Sequence, residues 1–216
     1  MEKLRISLLF IIIATLSAAL FWLWFDRARE ETPAAASVPH ELAGIVLSQP
    51  KELPTFTLRD FDGNIIAPDW FRGQWTFVFF GYTHCPDICP TTLYTLQQVR
   101  RQLGRTAEIQ ADTRFLFVTL DPQRDSPDIL KGYVQHFDTA FLAASTDHAT
   151  LGMLTAALNI AYAIEHEPGS DNYVVNHSAA ILLIDAQGRY HARYTPTQSA
   201  TIISNTYRTL RDLHHR

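Results

Sequence analysis

The run Trp75-Thr76-Phe77-Val78-Phe79-Phe80-Gly81 is followed directly by Tyr82-Thr83-His84-Cys85-Pro86-Asp87-Ile88-Cys89-Pro90. An uncharged series of aromatic and β-branched side chains, closed by a glycine, reads as a central strand buried on both faces. From Pro90 onward the apolar positions change period. Leu93, Leu96, Val99 and Leu103 fall three or four apart, the spacing of one helix face. Proline is tolerated in the first turn of a helix, where the N–H it lacks would be unpaired anyway. The stretch is therefore a strand, a short turn and a helix, and both cysteines of the chain lie at the junction.

Downstream, Phe115 to Leu120 is a second buried strand, followed by a loop at Asp121 to Pro127 and a helix near 127–137. A third apolar stretch, Phe141 to Ala144, precedes a helical segment marked by Leu151, Leu154 and Leu158. Ala180 to Ile184 and Tyr190 to Tyr194 flank Asp185-Ala186-Gln187-Gly188, a hairpin signal, and a closing helix runs from about 198 to 213. Upstream, Phe56, Leu58 and Phe61 alternate with polar residues up to the turn Asp62-Gly63-Asn64, which places another hairpin near 55–66. Strands that alternate with helices, then a hairpin and a last helix, predict an α/β protein with a mixed sheet covered on both faces. The order fits a thioredoxin-like architecture with an N-terminal β-hairpin extension, preceded by one transmembrane helix.

That last element is Ile6 to Phe25, twenty residues without a charge and with Ser7, Thr15 and Ser17 as the polar exceptions. As a helix it is about 30 Å long, the thickness of a bilayer's hydrocarbon core. Phe21, Trp22, Trp24 and Phe25 form an aromatic belt at its far end, which favours a retained anchor over a cleaved signal peptide. Lys3 and Arg5 favour an internal amino terminus. The expected organisation is a cytoplasmic end (1–5), an anchor (6–25), a Pro- and Ala-rich tether (26–41) and one globular domain (42–216) in the periplasm, at a bacterial inner membrane. The formal net charge of −4 excludes a basic surface built to neutralise nucleic-acid phosphates. Two cysteines exclude a disulfide-stapled mini-protein.

Cys85 and Cys89, at a strand-to-helix junction, face the positive end of a helix dipole, which favours thiolate over thiol. A structural disulfide across so short a loop would stabilise little. A closed zinc site needs four ligands, and there is no second cysteine pair. Thiol-disulfide exchange and a copper site with a third ligand both remain. Of nine histidines, His214 and His215 are expected at a frayed C-terminus, His40 in the tether and His166 in an exposed acidic loop. His136, His148 and His191 are expected on a helix surface, in a loop and on an edge strand. His84 adjoins Cys85, but neighbouring side chains of an extended segment point apart. His177, in Tyr173-Val174-Val175-Asn176-His177-Ser178, is expected in the loop that enters the strand at 180–184 beside the cysteine-bearing helix, so it is the favoured third ligand. Asp87 reads as a solvent-facing acid at the helix N-terminus, and Asp121 and Asp125 with Arg124 as a loop cap and ion pair.

The stretch Phe79 to Leu93, FFGYTHCPDICPTTL, resembles the signature of the Sco/SenC family of copper-binding assembly proteins. Val118-Thr119-Leu120-Asp121-Pro122-Gln123-Arg124-Asp125-Ser126-Pro127 is similar to the family's second motif, and Val175-Asn176-His177-Ser178 occupies the place of its histidine motif. Gly44-Ile45-Val46 through Leu58 looks like its N-terminal extension. The family commonly has an acid immediately before the histidine, where this chain has Asn176. The resemblance covers residues 42–213 and implies copper, as Cu(I) or Cu(II), held by Cys85, Cys89 and His177. It also implies a metallochaperone role in building the binuclear copper site of cytochrome c oxidase subunit II, with other periplasmic copper carriers as further partners. The alternative is a thiol-disulfide oxidoreductase that keeps the acceptor's cysteines reduced, for which Cys85 and Cys89 would be the redox-active pair. A peroxiredoxin-like peroxidase lacks an assignable resolving arrangement, and a copper-sensing adaptor would bind a partner without transferring metal.

Overall fold

The computed structural model describes residues 13–25, 42–166 and 172–214. They belong to two units, Met1–Ser37 and Val38–Arg216. In the first, residues 13–25 form helix α1. Its consecutive side chains Leu20, Phe21, Trp22, Leu23, Trp24 and Phe25 are all exposed, so the helix is apolar around its circumference. Ser17 Oγ donates to the Ile13 carbonyl at 2.8 Å, the local bond by which a hydroxyl is satisfied in an apolar helix. Among the described residues no helix is long and apolar enough to cross a membrane. The first seven residues of the expected anchor, 6–12, lie outside the described residues, as do the expected end 1–5 and tether 26–41.

The second unit is the expected thioredoxin-like α/β layer structure. Its elements are β1 (Val46–Glu52), β2 (Leu58–Asp60), β3 (Ile65–Ile66), β4 (Trp75–Gly81), α2 (Ile88–Leu103), α3 (Ala107–Ala111), β5 (Thr113–Thr119) and α4 (Pro127–Phe137). Then come β6 (Leu142–Ser145), α5 (His148–Ala157), β7 (Tyr162–His166), β8 (Tyr173–His177), β9 (Ile181–Ile184), β10 (Arg189–Tyr194) and α6 (Ala200–His214). One eight-stranded sheet runs in the order β1-β10-β9-β4-β5-β6-β2-β3, and β7 and β8 form a separate two-stranded sheet. The central pairs β4–β5 and β5–β6 are parallel, whereas β9 joins β4 antiparallel. Every residue of β4 is buried, as a strand with layers on both sides requires.

The alternation along β4 sorts the two layers. Phe77 packs on Tyr207 of α6 with ring centroids 5.4 Å apart, and on Phe115 of β5 at 5.2 Å. Val78 and Phe80 face the opposite way, toward Leu154 of α5, Leu158 and the N-terminal residues Phe56, Leu58 and Phe71. Helices start where the chain offers them partners. Ser126 accepts from the Ile129 amide ahead of Pro127, and Asp147 accepts from the Ala149 and Thr150 amides.

Several placements differ from the sequence reading. β1 contains Pro50 and reads poorly as a strand, but it lies at the sheet edge, where a missing N–H is tolerated, with an irregular register between Val46 and Lys51. By covering β10 it makes His191 an inner-strand residue instead of an edge one. His166 ends strand β7 instead of lying in a loop, and Tyr173–His177 is a strand where a loop was expected; most of β7 is exposed, so no apolar alternation betrays it. His148 is the first residue of α5 and not a loop residue. His214 is not frayed. Its ring lies 5.4 Å from that of Trp75, and it bonds to the Gln187 amide oxygen.

The β9–β10 turn is organised by Asp185, whose side chain is fully buried. It accepts from the Gln187 amide at 3.0 Å, the Arg189 amide at 2.9 Å, Arg189 Nε at 3.0 Å and His191 Nδ1 at 3.2 Å. Burial pushes this carboxyl up, but the bonds from His191 and Arg189 outweigh it and hold it down at about 2. A carboxyl lowered on folding stabilises the native state above its unfolded value, 3.8, and that stabilisation is lost as the pH falls through about 2. Asp185→Asn is expected to cost about 2 kcal/mol at neutral pH, and the deficit should shrink on approach to pH 2, followed by urea unfolding. An equal deficit at both pH values would contradict the assignment.

Candidate metal centre

Because β4 is buried to its last residue, its chain leaves the sheet at one end and must turn at once into α2. The turn Thr83–Asp87 does this, with the Cys85 amide donating to the Tyr82 carbonyl at 3.3 Å and the Thr91 amide to the Asp87 carbonyl at 3.2 Å. Cys89 falls in the first turn of α2 and is fully buried, while Cys85 sits just before the helix at the rim, 9% exposed. Both thiols are free. The sulfur of Cys89 is packed against the end of β4 so closely that a Cβ on Gly81 would stand 2.7 Å from it. Glycine at 81 is thus a condition for the position of Cys89.

The third side chain arrives from the separate sheet. His177 ends β8, where it pairs with Tyr162 of β7, and its Nε2 lies 3.4 Å from Cys89 Sγ. Its other nitrogen, Nδ1, lies 3.3 Å from the Ser178 carbonyl, which can accept only from an N–H; this places the proton on Nδ1 and leaves the Nε2 lone pair facing the sulfur. The ring is walled by Phe79 at 6.2 Å and Tyr82 at 6.0 Å, centroid to centroid. The ligand atoms of Cys85, Cys89 and His177 all lie within 4.8 Å of one another. His84 is outside this group. It is about half exposed and turned toward Asp125, 3.8 Å away. Asn176 is exposed on the face of β8 opposite His177, so the missing acid takes nothing from the three donors.

Burial governs the electrostatics. It pushes the Cys89 thiol well up, with the nearby Cys85 adding to the shift, against a smaller lowering by a backbone bond at Tyr82. The expected thiolate preference of a helix N-terminus is therefore overridden at Cys89. Burial also pushes the His177 imidazole down, which keeps it neutral and able to ligate. A dry pocket that opposes a free thiolate while supplying two sulfurs and a neutral nitrogen suits a soft cation, which would itself drive the sulfur to give up its proton.

The acids around the site divide differently from the sequence reading. Asp121 pairs with Arg124 as expected. Asp125 does not. Its buried carboxylate accepts from the Thr83 amide at 3.1 Å, from Thr83 Oγ1 at 2.5 Å and from Thr119 Oγ1 at 2.5 Å, tying the cysteine turn to the end of β5. Asp87 is exposed, as expected, and makes no side-chain cap bond. Gly81, Tyr82 and Tyr173, the last bonded through its hydroxyl to Asp121, are parts of the site that the sequence did not single out. For Gly81 the signal was present, since a glycine closing a buried strand often marks a close approach; for the tyrosines none was.

A family model described as SCO1/SenC matches residues 47–211. A mitochondrial SCO2 homolog of Bos taurus is 34% identical over 153 residues, which are 71% of this chain and 57% of that protein, so the chain spans little more than half of that relative's length. A SCO2-like protein of Rickettsia felis is 29% identical over 191 residues, 88% of this chain and 89% of that one. The solved structure of Bradyrhizobium japonicum ScoI with copper bound is similar at a TM-score of 0.64 and 29% identity, covering 72% of this chain and 97% of that one.

The contact at Gly81 can be tested by itself. Gly81→Ala is expected to destabilise the domain by about 1–3 kcal/mol through overpacking against Cys89, Phe117 and Phe79. Gly132→Ala, on α4 with open space around it, should stabilise by roughly 0.5–1 kcal/mol. Equal effects of the two in urea unfolding would show that the Gly81 contact is not tight.

Proposed function

The chain belongs to the SCO1/SenC family, and from that premise we propose that it is a copper metallochaperone that binds one copper ion through Cys85, Cys89 and His177 and passes it on during cytochrome c oxidase assembly. The observation that carries the proposal is the convergence within 4.8 Å of two neighbouring sulfurs and an imidazole nitrogen from 88 residues further along the chain. Two thiolates and a neutral imidazole suit Cu(I) at low coordination number, and a further nitrogen or oxygen would accommodate Cu(II). Copper is the cargo here. Cys89 forms the floor of the site, while Cys85 and the half-buried His177 stand at the rim. An incoming acceptor thiolate or imidazole can therefore replace the rim ligands before it draws the metal from Cys89. The acceptor we propose is subunit II of the oxidase, at its binuclear copper site.

We further propose that residues 6–25 anchor the chain in a bacterial inner membrane, that 26–41 serve as a tether, and that 42–216 lie in the periplasm. The uncharged run from Ile6 to Phe25 and the exposed apolar circumference of α1 support this arrangement.

A second reading rests on the two thiols being free and adjacent. A thiolate of the pair could attack an acceptor disulfide, and the other could close Cys85–Cys89, so that two electrons leave this chain and the acceptor gains two thiols. That reaction does not need His177, which separates the two functions.

The reduced protein is expected to take up one copper per chain, measured by metal analysis after gel filtration. His177→Ala should lower copper affinity by on the order of a hundredfold while leaving Cys85–Cys89 disulfide formation intact. Cys85→Ser and Cys89→Ser should each abolish tight binding. Unchanged affinity in His177→Ala would overturn the three-ligand site, and tight binding in either serine variant would overturn the role of that sulfur.

A further inference from the structure

The hairpin β7–β8 that delivers His177 is a two-stranded sheet apart from the main one, and such a hairpin is marginal in water by itself. Something must hold it if the histidine is to stay in place. Val175 of β8 is buried, and the Tyr82 ring meets the His177 ring edge-on at the end of the strand. At the far end of β8 stands a more elaborate contact, centred on Arg124. The Arg124 guanidinium pairs with Asp121 through Nε, and its Nη1 donates to the Tyr173 carbonyl at 3.1 Å. Its central carbon lies over the Tyr173 ring, 3.6 Å from the centroid. The Tyr173 hydroxyl donates to Asp121 Oδ1 at 2.8 Å, which closes the ring of contacts. Tyr173 is thus held at its carbonyl, its ring and its hydroxyl by two residues of one loop. Asp121 is in turn fixed, because it is almost fully buried and its amide donates to Thr119 Oγ1 at 2.9 Å.

Tyr173 is the first residue of β8 and His177 the last. At about 3.3 Å per residue the strand is a lever roughly 13 Å long, clasped at one end and carrying the imidazole at the other. Asp125, the residue after Arg124 in the same loop, holds Thr83 and with it the cysteine turn. We propose that Arg124 is a positioning residue for His177: by clasping Tyr173 against Asp121 it sets the distance between the imidazole and the cysteine pair. The clasp uses a guanidinium in three directions at once, an N–H to the carboxylate, a second to the carbonyl and a planar face to the ring. Lysine has one compact charge and no face, so it cannot replace arginine here.

The metal readout of this proposal rests on the copper site proposed above; its metal-free readout does not. Full-length Arg124→Lys should show amide hydrogen exchange in β8 at least about tenfold faster than the parent, with β9 unchanged, in the copper-free reduced protein. Its copper affinity should fall by about tenfold or more, its Cu(II) nitrogen hyperfine coupling should weaken, and its rate of Cys85–Cys89 disulfide formation should stay the same. The double variant Asp121→Asn with Arg124→Gln, which leaves no unpaired buried charge, should behave alike, while Tyr173→Phe, keeping ring and carbonyl, should stay within about threefold of the parent. Unchanged exchange in β8 for both clasp variants overturns the proposal, as does faster exchange that spreads equally to β9, since Arg124 would then hold the domain and not the hairpin. Unchanged copper affinity in His177→Ala would strike the ligand assignment alone, and the exchange result would still decide the clasp.

Discussion

The site depends on one packing constraint, the burial of β4 on both faces up to Gly81. A strand so enclosed has a single exit, at the sheet's end, and α2 must begin within a few residues if it is to cover the face that Phe77 and Phe79 present. The first turn of α2 then passes so near the strand that only hydrogen fits at Gly81, and the sulfur of Cys89 occupies the space a methyl group would take. The same packing that fills the core therefore fixes the innermost donor. Cys85, one helical turn earlier, stays at the rim because the helix has not yet started.

Two sulfurs are placed by local chain geometry, but the nitrogen is not. His177 comes from a hairpin outside the main sheet, and the 121–125 loop touches both parts, through Asp125 on the cysteine turn and through Asp121 and Arg124 on β8. The two halves of the site are thus held to a common support. Its interior is dry enough to keep His177 neutral and to oppose a free thiolate at Cys89. Such a pocket has little to gain from holding charge without a cation, which favours a metal that binds sulfur strongly over simple thiolate chemistry at the buried cysteine.

Most of this was legible in the sequence where burial leaves a pattern. The uncharged run into Gly81, the helical spacing after Pro90 and the turn at Asp185 to Gly188 each correspond to an element of the structure. The cysteine pair marked the site, and His177 was singled out from nine histidines by its place before β9. What escaped lacks periodicity. β7 is largely exposed, and β1 carries Pro50 at an edge, so neither shows the alternation that reveals a strand. The cross-chain roles of Arg124 and Tyr173 depend on 49 residues of intervening fold and leave no local trace. The Cys89 thiol is pushed up despite its place at a helix N-terminus, because desolvation of a fully buried sulfur exceeds what one helix end can offset.

The central claim is that two sulfurs and one nitrogen from these three residues form a single copper site. X-ray absorption of the copper-loaded, reduced protein addresses it most directly, with His177→Ala measured beside the parent. The account predicts two sulfur neighbours and one imidazole nitrogen in the parent, and loss of the nitrogen alone in the variant. A spectrum with no imidazole scattering in the parent, or one unchanged by removal of His177, would contradict it.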